Sequence, residues 1–186
     1  MNLPNALTVL RVILAGMFIY FFLQDGPGPM LIALILFTAA SLTDYLDGYI
    51  ARKHNLITNF GKIMDPIADK FLVLSAFFMF VSKSLIDGWM FYLICAREVI
   101  VTVLRLNAVC KGAALAAEGA GKVKTVLQIV AVYLIIIFNI AGQFLNQSQF
   151  KAASSVVYVL MLAVVGLTLW SGASFILNNR RELFRV

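Results

Sequence analysis

Six apolar stretches, each close to the length that crosses a lipid bilayer, follow one another along this chain with short polar breaks between them. A helix needs about 20 mostly apolar residues to cover a ~30 Å hydrocarbon core. Breaks at Gly, Pro and clustered charge place the stretches at roughly 5–24, 30–53, 59–81, 88–110, 122–142 and 153–177. Charged residues make up 13% of the sequence and hydrophobic ones 62%, whereas a soluble domain of this size carries about twice that share of charge. The sequence therefore predicts an all-α, polytopic membrane protein with six transmembrane helices in a single domain over residues 1–186. The first stretch lacks a basic leader, contains Arg11 and ends in "QDGPGP" rather than a small-residue cleavage site, so it is expected to stay as a membrane helix.

Basic residues orient such a bundle. With the N-terminus in the cytoplasm, the inner side receives Arg52, Lys53, Lys62, Lys111, Lys122, Lys124, Arg180, Arg181 and Arg185. The outer side receives Lys83 and Lys151. That asymmetry follows the positive-inside rule and puts both termini in the cytoplasm. The net charge of +6 then reads as attraction to anionic lipid headgroups rather than to nucleic acid. Cys95 and Cys110 lie too far apart along one helix for a disulfide and read as small buried hydrophobes; His54 reads as a solvated loop residue.

Against this apolar background, four of the nine acidic residues crowd into one window. Asp44, Asp47, Gly48, Ala51 and Arg52 fall at i, i+3, i+4, i+7 and i+8 of the second helix, on one face. Gly61, Asp65 and Asp69 fall at i, i+4 and i+8 of the third, whose start Thr58 or Asn59 can cap. A short connection makes the two helices antiparallel neighbours, so their carboxylate faces can meet near the cytoplasmic surface. Carboxylates at such distances repel unless cations hold them together. Aspartate oxygens are hard ligands, and no Cys or His lies near in sequence to suggest zinc or copper. One or two divalent ions fit, Mg²⁺ first and Mn²⁺ as a substitute, and a pair of them can bridge the oxygens of a phosphoryl group. Gly48, Ala51 and Gly61 clear space beside the acids, enough for a flat base or a diphosphate. Pro66 either kinks the third helix or aims Asp69.

"DYLDGYIAR" at 44–52 followed by "GKIMDPIAD" at 61–69 matches D-x2-D-G-x2-A-R…G-x3-D-x3-D at every fixed position. The chain thereby resembles the CDP-alcohol phosphotransferase family. That resemblance implies a homodimeric six-helix bundle of the family type, acting on a CDP-linked lipid. It implies metal ligation by Asp44, Asp47 and Asp65, with Asp69 able to touch metal and acting as the general base. It also assigns Gly48, Ala51, Arg52 and Gly61 to the CDP pocket.

A transferase of this type needs an acceptor alcohol, and cations at the same depth bear on which one. Arg97 and Arg105 lie on one face of the fourth helix with Glu98 beside them; Lys122 and Lys124 open the fifth. Charges inside a span usually face a cavity, although Arg97 and Glu98 can instead be paired separately with other helices, and the lysines can be snorkelling anchors. Four cations suit an anionic acceptor such as a sugar- or glycerol-phosphate. "AAEGAGKVKT" is not a nucleotide-triphosphate loop, because Ala116 stands where the first glycine is needed and Val123 follows the lysine.

"NLPNALTVLRV" at 2–12, "AREVIVTVLR" at 96–105 and "GKVKT" at 121–125 resemble the bacterial family members that join CDP-diacylglycerol to sn-glycerol 3-phosphate. On that resemblance Arg105, Lys122, Lys124 and Arg97 are candidates for the acceptor phosphate. Asn5, Thr8 and Arg11 either help to close the pocket or form the water-facing edge of an interfacial helix. Inositol phosphate, phosphatidylglycerol and serine are alternative acceptors. A membrane prenyltransferase or a cation transporter is a remoter reading, since its acids would lie in other motifs or along a mid-bilayer pore.

Overall fold

The computed structural model describes residues 3–54, 59–110 and 119–180; the side chains of 3–8, 44–54, 59–69, 109–110, 119–120 and Lys122 lie outside that description. Every described element is a helix: α1 Leu3–Leu23, α2 Pro27–His54, α3 Asn59–Ser82, α4 Gly88–Cys110, α5 Gly119–Gly142 and α6 Gln147–Asn178. These are the six helices expected from the apolar stretches. α6 alone differs appreciably at one end, starting at 147 rather than 153. Its first turns are polar, and the hydropathy reading passed over them. Gln149 accepts a hydrogen bond from the Asn146 backbone at 3.2 Å and fixes the helix start there. Pro27 opens α2, where a missing N–H costs nothing, and α3 runs on through Pro66.

Short loops reverse the chain. Gly26 adopts a φ of 109°, a region that glycine enters without a Cβ clash. Lys83, in the α3–α4 loop, donates to Asp25 Oδ1 at 2.6 Å and to the Leu23 carbonyl at 3.2 Å, clasping the α1–α2 loop. That hydrogen bond, with the ammonium charge behind it, holds the Asp25 carboxyl below its usual range. Gln143 Nε2 reaches Met30 Sδ at 3.3 Å and brings the α5–α6 turn to the same end. Three connections therefore share one end of the bundle, as alternating helix directions require.

Phenylalanines fill the interior. Phe18, Phe22, Phe37, Phe77 and Phe80 are fully buried, and their rings touch in a chain, Phe18–Phe37 at 5.7 Å, Phe18–Phe22 at 5.5 Å, Phe22–Phe80 at 5.5 Å and Phe77–Phe80 at 6.0 Å. Ala15, Ala33 and Ala40, also fully buried, let α1 and α2 approach closely. Between helices in lipid, packing of this kind holds more than the hydrophobic effect does, because the tails are themselves apolar. The outward faces carry Val9, Ile13, Ile35, Val103, Val126 and Val159, all exposed. Tyr20, Trp89, Tyr92, Phe144 and Phe150 are exposed near the end with the short loops, the position of an interfacial aromatic belt. The helices over Val123–Gly142 and Gln147–Asn178 are long and apolar enough to cross a membrane, and α1, α2 and α3 contribute shorter apolar stretches among the described residues. This is a helical membrane protein.

Candidate active site

Asp44, Asp47, Gly48, Ala51 and Arg52 lie in the last turns of α2, and Gly61, Asp65 and Asp69 in the first half of α3. The helical backbone at both places keeps the register read from the spacing. The side chains of these eight residues lie outside the described residues, as do those of Asn5, Thr8 and Lys122. Among the described residues no group of three or more His, Cys, Asp or Glu forms a metal site; the four aspartates fall beyond that set. As a donor set they are all hard oxygens, which suits Mg²⁺ or Mn²⁺.

Immediately after Asp69 the described side chains resume, and they open on a cluster of charge. Lys70 on α3 donates to Glu98 Oε2 at 3.0 Å. Arg97 Nη1 donates to Glu98 Oε1 at 3.2 Å, and Lys124 on α5 donates to the same oxygen. One carboxylate thus receives cations from three helices. Glu98 and Lys124 are almost wholly buried, while a quarter of the Lys70 side chain is exposed. Unpaired charges at this depth would be costly, and removing one partner of a buried pair costs about 3–5 kcal/mol. A narrow cleft of ≈ 20 Å³, room for a water-sized group, runs past Lys70, Glu98, Lys124, Thr125 and Gln128.

The last helix seats the guanidinium. Arg97 Nη2 donates to Ser171 Oγ at 2.9 Å, and Ser171 donates on to the Thr168 carbonyl at 3.0 Å. Gln128 Nε2 reaches Thr168 Oγ1 at 3.3 Å, fixing α5 to α6 beside it. Gly172 leaves the space that Arg97 occupies: a Cβ there would meet Arg97 Cγ at 2.9 Å. Two turns along α4, Arg105 sits over the Phe175 ring at 5.4 Å, so both arginines do face α6 as their spacing implied.

Arg97, Lys124 and Arg105 therefore come to one side of α4, with Arg97 and Lys124 in direct contact with Glu98. Arg97 and Glu98 do reach other helices, Glu98 through Lys70 of α3 and Lys124 of α5 and Arg97 through Ser171 of α6, and they also pair with each other. Lys124 is buried, and no snorkelling anchor. Arg11 is 1% exposed, so it does not form a water-facing edge. Cys95 is a half-buried free thiol. Lys70 and the central place of Glu98 were missed from sequence; a lysine standing between the aspartates and the apolar run of 71–82 was the available signal.

Six apolar helices closed around buried, multiply paired charge define a membrane protein with a polar interior site. Residues 1–171 match the family model for CDP-alcohol phosphatidyltransferase, and the chain belongs to that family. It is 42% identical over 151 residues to the CDP-diacylglycerol–glycerol-3-phosphate 3-phosphatidyltransferase of Bacillus subtilis (strain 168), covering 75% of this chain and 78% of that protein. The Rickettsia bellii (strain RML369-C) protein of the same name is 40% identical over 136 residues, covering 73% of this chain and 75% of the relative. A probable phosphatidylglycerophosphate synthase of Mycobacterium tuberculosis (strain CDC 1551 / Oshkosh) is 34% identical over 185 residues, covering 98% of this chain and 83% of its own.

Proposed function

We propose that this protein transfers the phosphatidyl group of CDP-diacylglycerol to the 1-hydroxyl of sn-glycerol 3-phosphate, giving phosphatidylglycerophosphate and CMP. The observation that carries the reading is that relatives 34–42% identical over most of the chain are named either CDP-diacylglycerol–glycerol-3-phosphate 3-phosphatidyltransferase or probable phosphatidylglycerophosphate synthase. The surplus of buried cations beside the aspartate segment agrees with a phosphorylated acceptor. Residues 1–186 act as one catalytic domain, a homodimer in the bacterial cytoplasmic membrane, with both termini and the active site on the cytoplasmic side.

Divalent ions, Mg²⁺ or Mn²⁺ and two in number, would be held by Asp44, Asp47, Asp65 and Asp69. Bound there, they supply positive charge that neutralises the diphosphate and the departing phosphate. Gly48, Ala51, Arg52 and Gly61 form the CDP pocket. Arg97, Arg105, Lys122 and Lys124 hold the acceptor phosphate, with Asn5, Thr8 and Arg11 closing the site from α1. The acceptor oxygen attacks the phosphorus that bears diacylglycerol, a new P–O bond forms, and the bond to the bridging oxygen breaks as CMP leaves. Asp69 takes the hydroxyl proton. Positioning and electrostatics supply most of the acceleration in such transfers.

The direct test is CMP release by purified protein in liposomes containing CDP-diacylglycerol, with glycerol 3-phosphate, inositol phosphate, serine and phosphatidylglycerol offered separately. Rapid release is expected with glycerol 3-phosphate and its loss on chelation of divalent ions. Preference for any other acceptor overturns the reading, as does undiminished turnover without metal.

A further inference from the structure

We propose that Phe175 of α6 is a positioning residue for the acceptor phosphate: its ring seats the Arg105 guanidinium without claiming the donors that would grip the phosphate. This rests on the function proposed above. The other described cations of the interior already have oxygen partners. Lys70 and Lys124 donate to Glu98, and Arg97 donates to Glu98 and to Ser171. Arg105 is held differently. Among the described residues it makes no hydrogen bond and no ion pair, and its guanidinium carbon lies over the Phe175 ring, 5.4 Å from the ring centre. An aromatic face attracts a guanidinium through its quadrupole and by stacking, and it puts no oxygen against the N–H groups. Those are the donors that a phosphate takes, two at a time as a fork.

The ring is firmly set. Phe175 is buried, and so is Asn179 after it. The Phe175 carbonyl accepts from the Asn179 backbone N–H at 3.1 Å and from the Asn179 side-chain amide at 3.0 Å, which closes the last turn of α6 on the residue that carries the ring. Arg105, by contrast, is exposed, and it stands in the half of α4 that ends at Cys110. Because successive helices reverse direction, that is the end of the bundle at which α2 finishes and α3 begins, where the four aspartates lie. A free arginine loses much rotamer freedom when it grips a ligand, and a ring that has already placed the guanidinium removes part of that cost. A fixed ring, an accessible guanidinium and the aspartate segment at one end of the bundle together support an anionic group binding at Arg105.

The experiment compares Phe175→Leu, Phe175→Tyr, Arg105→Gln and the Phe175→Leu/Arg105→Gln double variant with the unaltered protein, in detergent with Mg²⁺. Steady-state kinetics give both KM values, and calorimetric titration gives the Kd for glycerol 3-phosphate where turnover is slow. Leucine keeps an apolar side chain in the α4–α6 contact and removes the ring; tyrosine keeps the ring. Phe175→Leu is expected to raise the KM for glycerol 3-phosphate about three- to tenfold, the range of one cation–ring contact, while the KM for CDP-diacylglycerol stays within about twofold. Phe175→Tyr should stay within about twofold of the unaltered protein on both. In the Arg105→Gln background, Phe175→Leu should add nothing, because the ring acts only through the guanidinium. An unchanged acceptor KM in Phe175→Leu, an equal rise in both KM values, or a Phe175→Leu penalty that persists undiminished in Arg105→Gln overturns the proposal and leaves the function proposed above standing. Should Phe175→Leu fail to fold, Phe175→Met takes its place and is read in the same way. If the unaltered protein prefers another phosphorylated alcohol, the function proposed above fails, and the same comparison on that acceptor still judges Phe175. If it prefers an acceptor without phosphate, both fail.

Discussion

Asp65 and Asp69 stand on successive turns of α3, yet the two substitutions that neutralise them should behave differently. Asp65→Asn removes a proposed metal donor, so it should abolish turnover and weaken divalent-ion binding together, read by CMP release and by metal titration. Asp69→Asn should leave CDP-lipid binding largely intact and slow transfer by about 10²–10⁴-fold, the range for loss of a general base. Near-normal rates at neutral pH would remove Asp69 from that role. The helical placement of these aspartates was legible because fixed local spacing is converted by a helix directly into a shared face. Lys70 and Glu98 were not, because their partnership joins positions 28 apart on different helices. Local pattern marks such residues as unusual without saying whom they meet.

Among the elements, α6 shows the same limit more sharply. From its sequence it is generic apolar helix, and nothing in its periodicity marks Ser171 and Gly172. Packed against α4 they become the seat of Arg97, one by accepting its hydrogen bond and the other by having no side chain. Gly172→Ala should favour the helix by up to about 1 kcal/mol in propensity and yet push Arg97 off Ser171. The expected outcome is an acceptor KM raised several-fold in a protein that still melts cooperatively; an unchanged KM would show that Arg97 has room to adjust. The other helices were read nearly to their ends, because an apolar run bounded by Gly, Pro and charge leaves little freedom once the solvent is lipid.

For the molecule as a whole, the legible part is the count and alternation of helices, and the clasp of Lys83 on Asp25 and Leu23 bears out that the first and third loops lie together. The side of the membrane to which that end belongs follows from charge counting and is open to test. In a background with Cys95 and Cys110 replaced by alanine, Lys151→Cys should react with an impermeant maleimide in intact cells. His54→Cys should react only after the membrane is permeabilised. The reverse pattern would invert the orientation and place the aspartate segment outside.

The shared carboxylate also bears on how the chain enters its membrane. Synthesis delivers Lys70, then Arg97 and Glu98, and only about 26 residues later Lys124. Until α5 emerges, α4 must carry its glutamate with an incomplete set of counterions, a state that lipid tolerates poorly, at about 2.5–3.5 kcal/mol per central charge on insertion scales. Settling of α4 is therefore expected to wait for its successor at the translocon. Chains truncated after residue 110 and released from the ribosome should expose α4 to water-soluble probes, and released chains that run through residue 142 should shelter it.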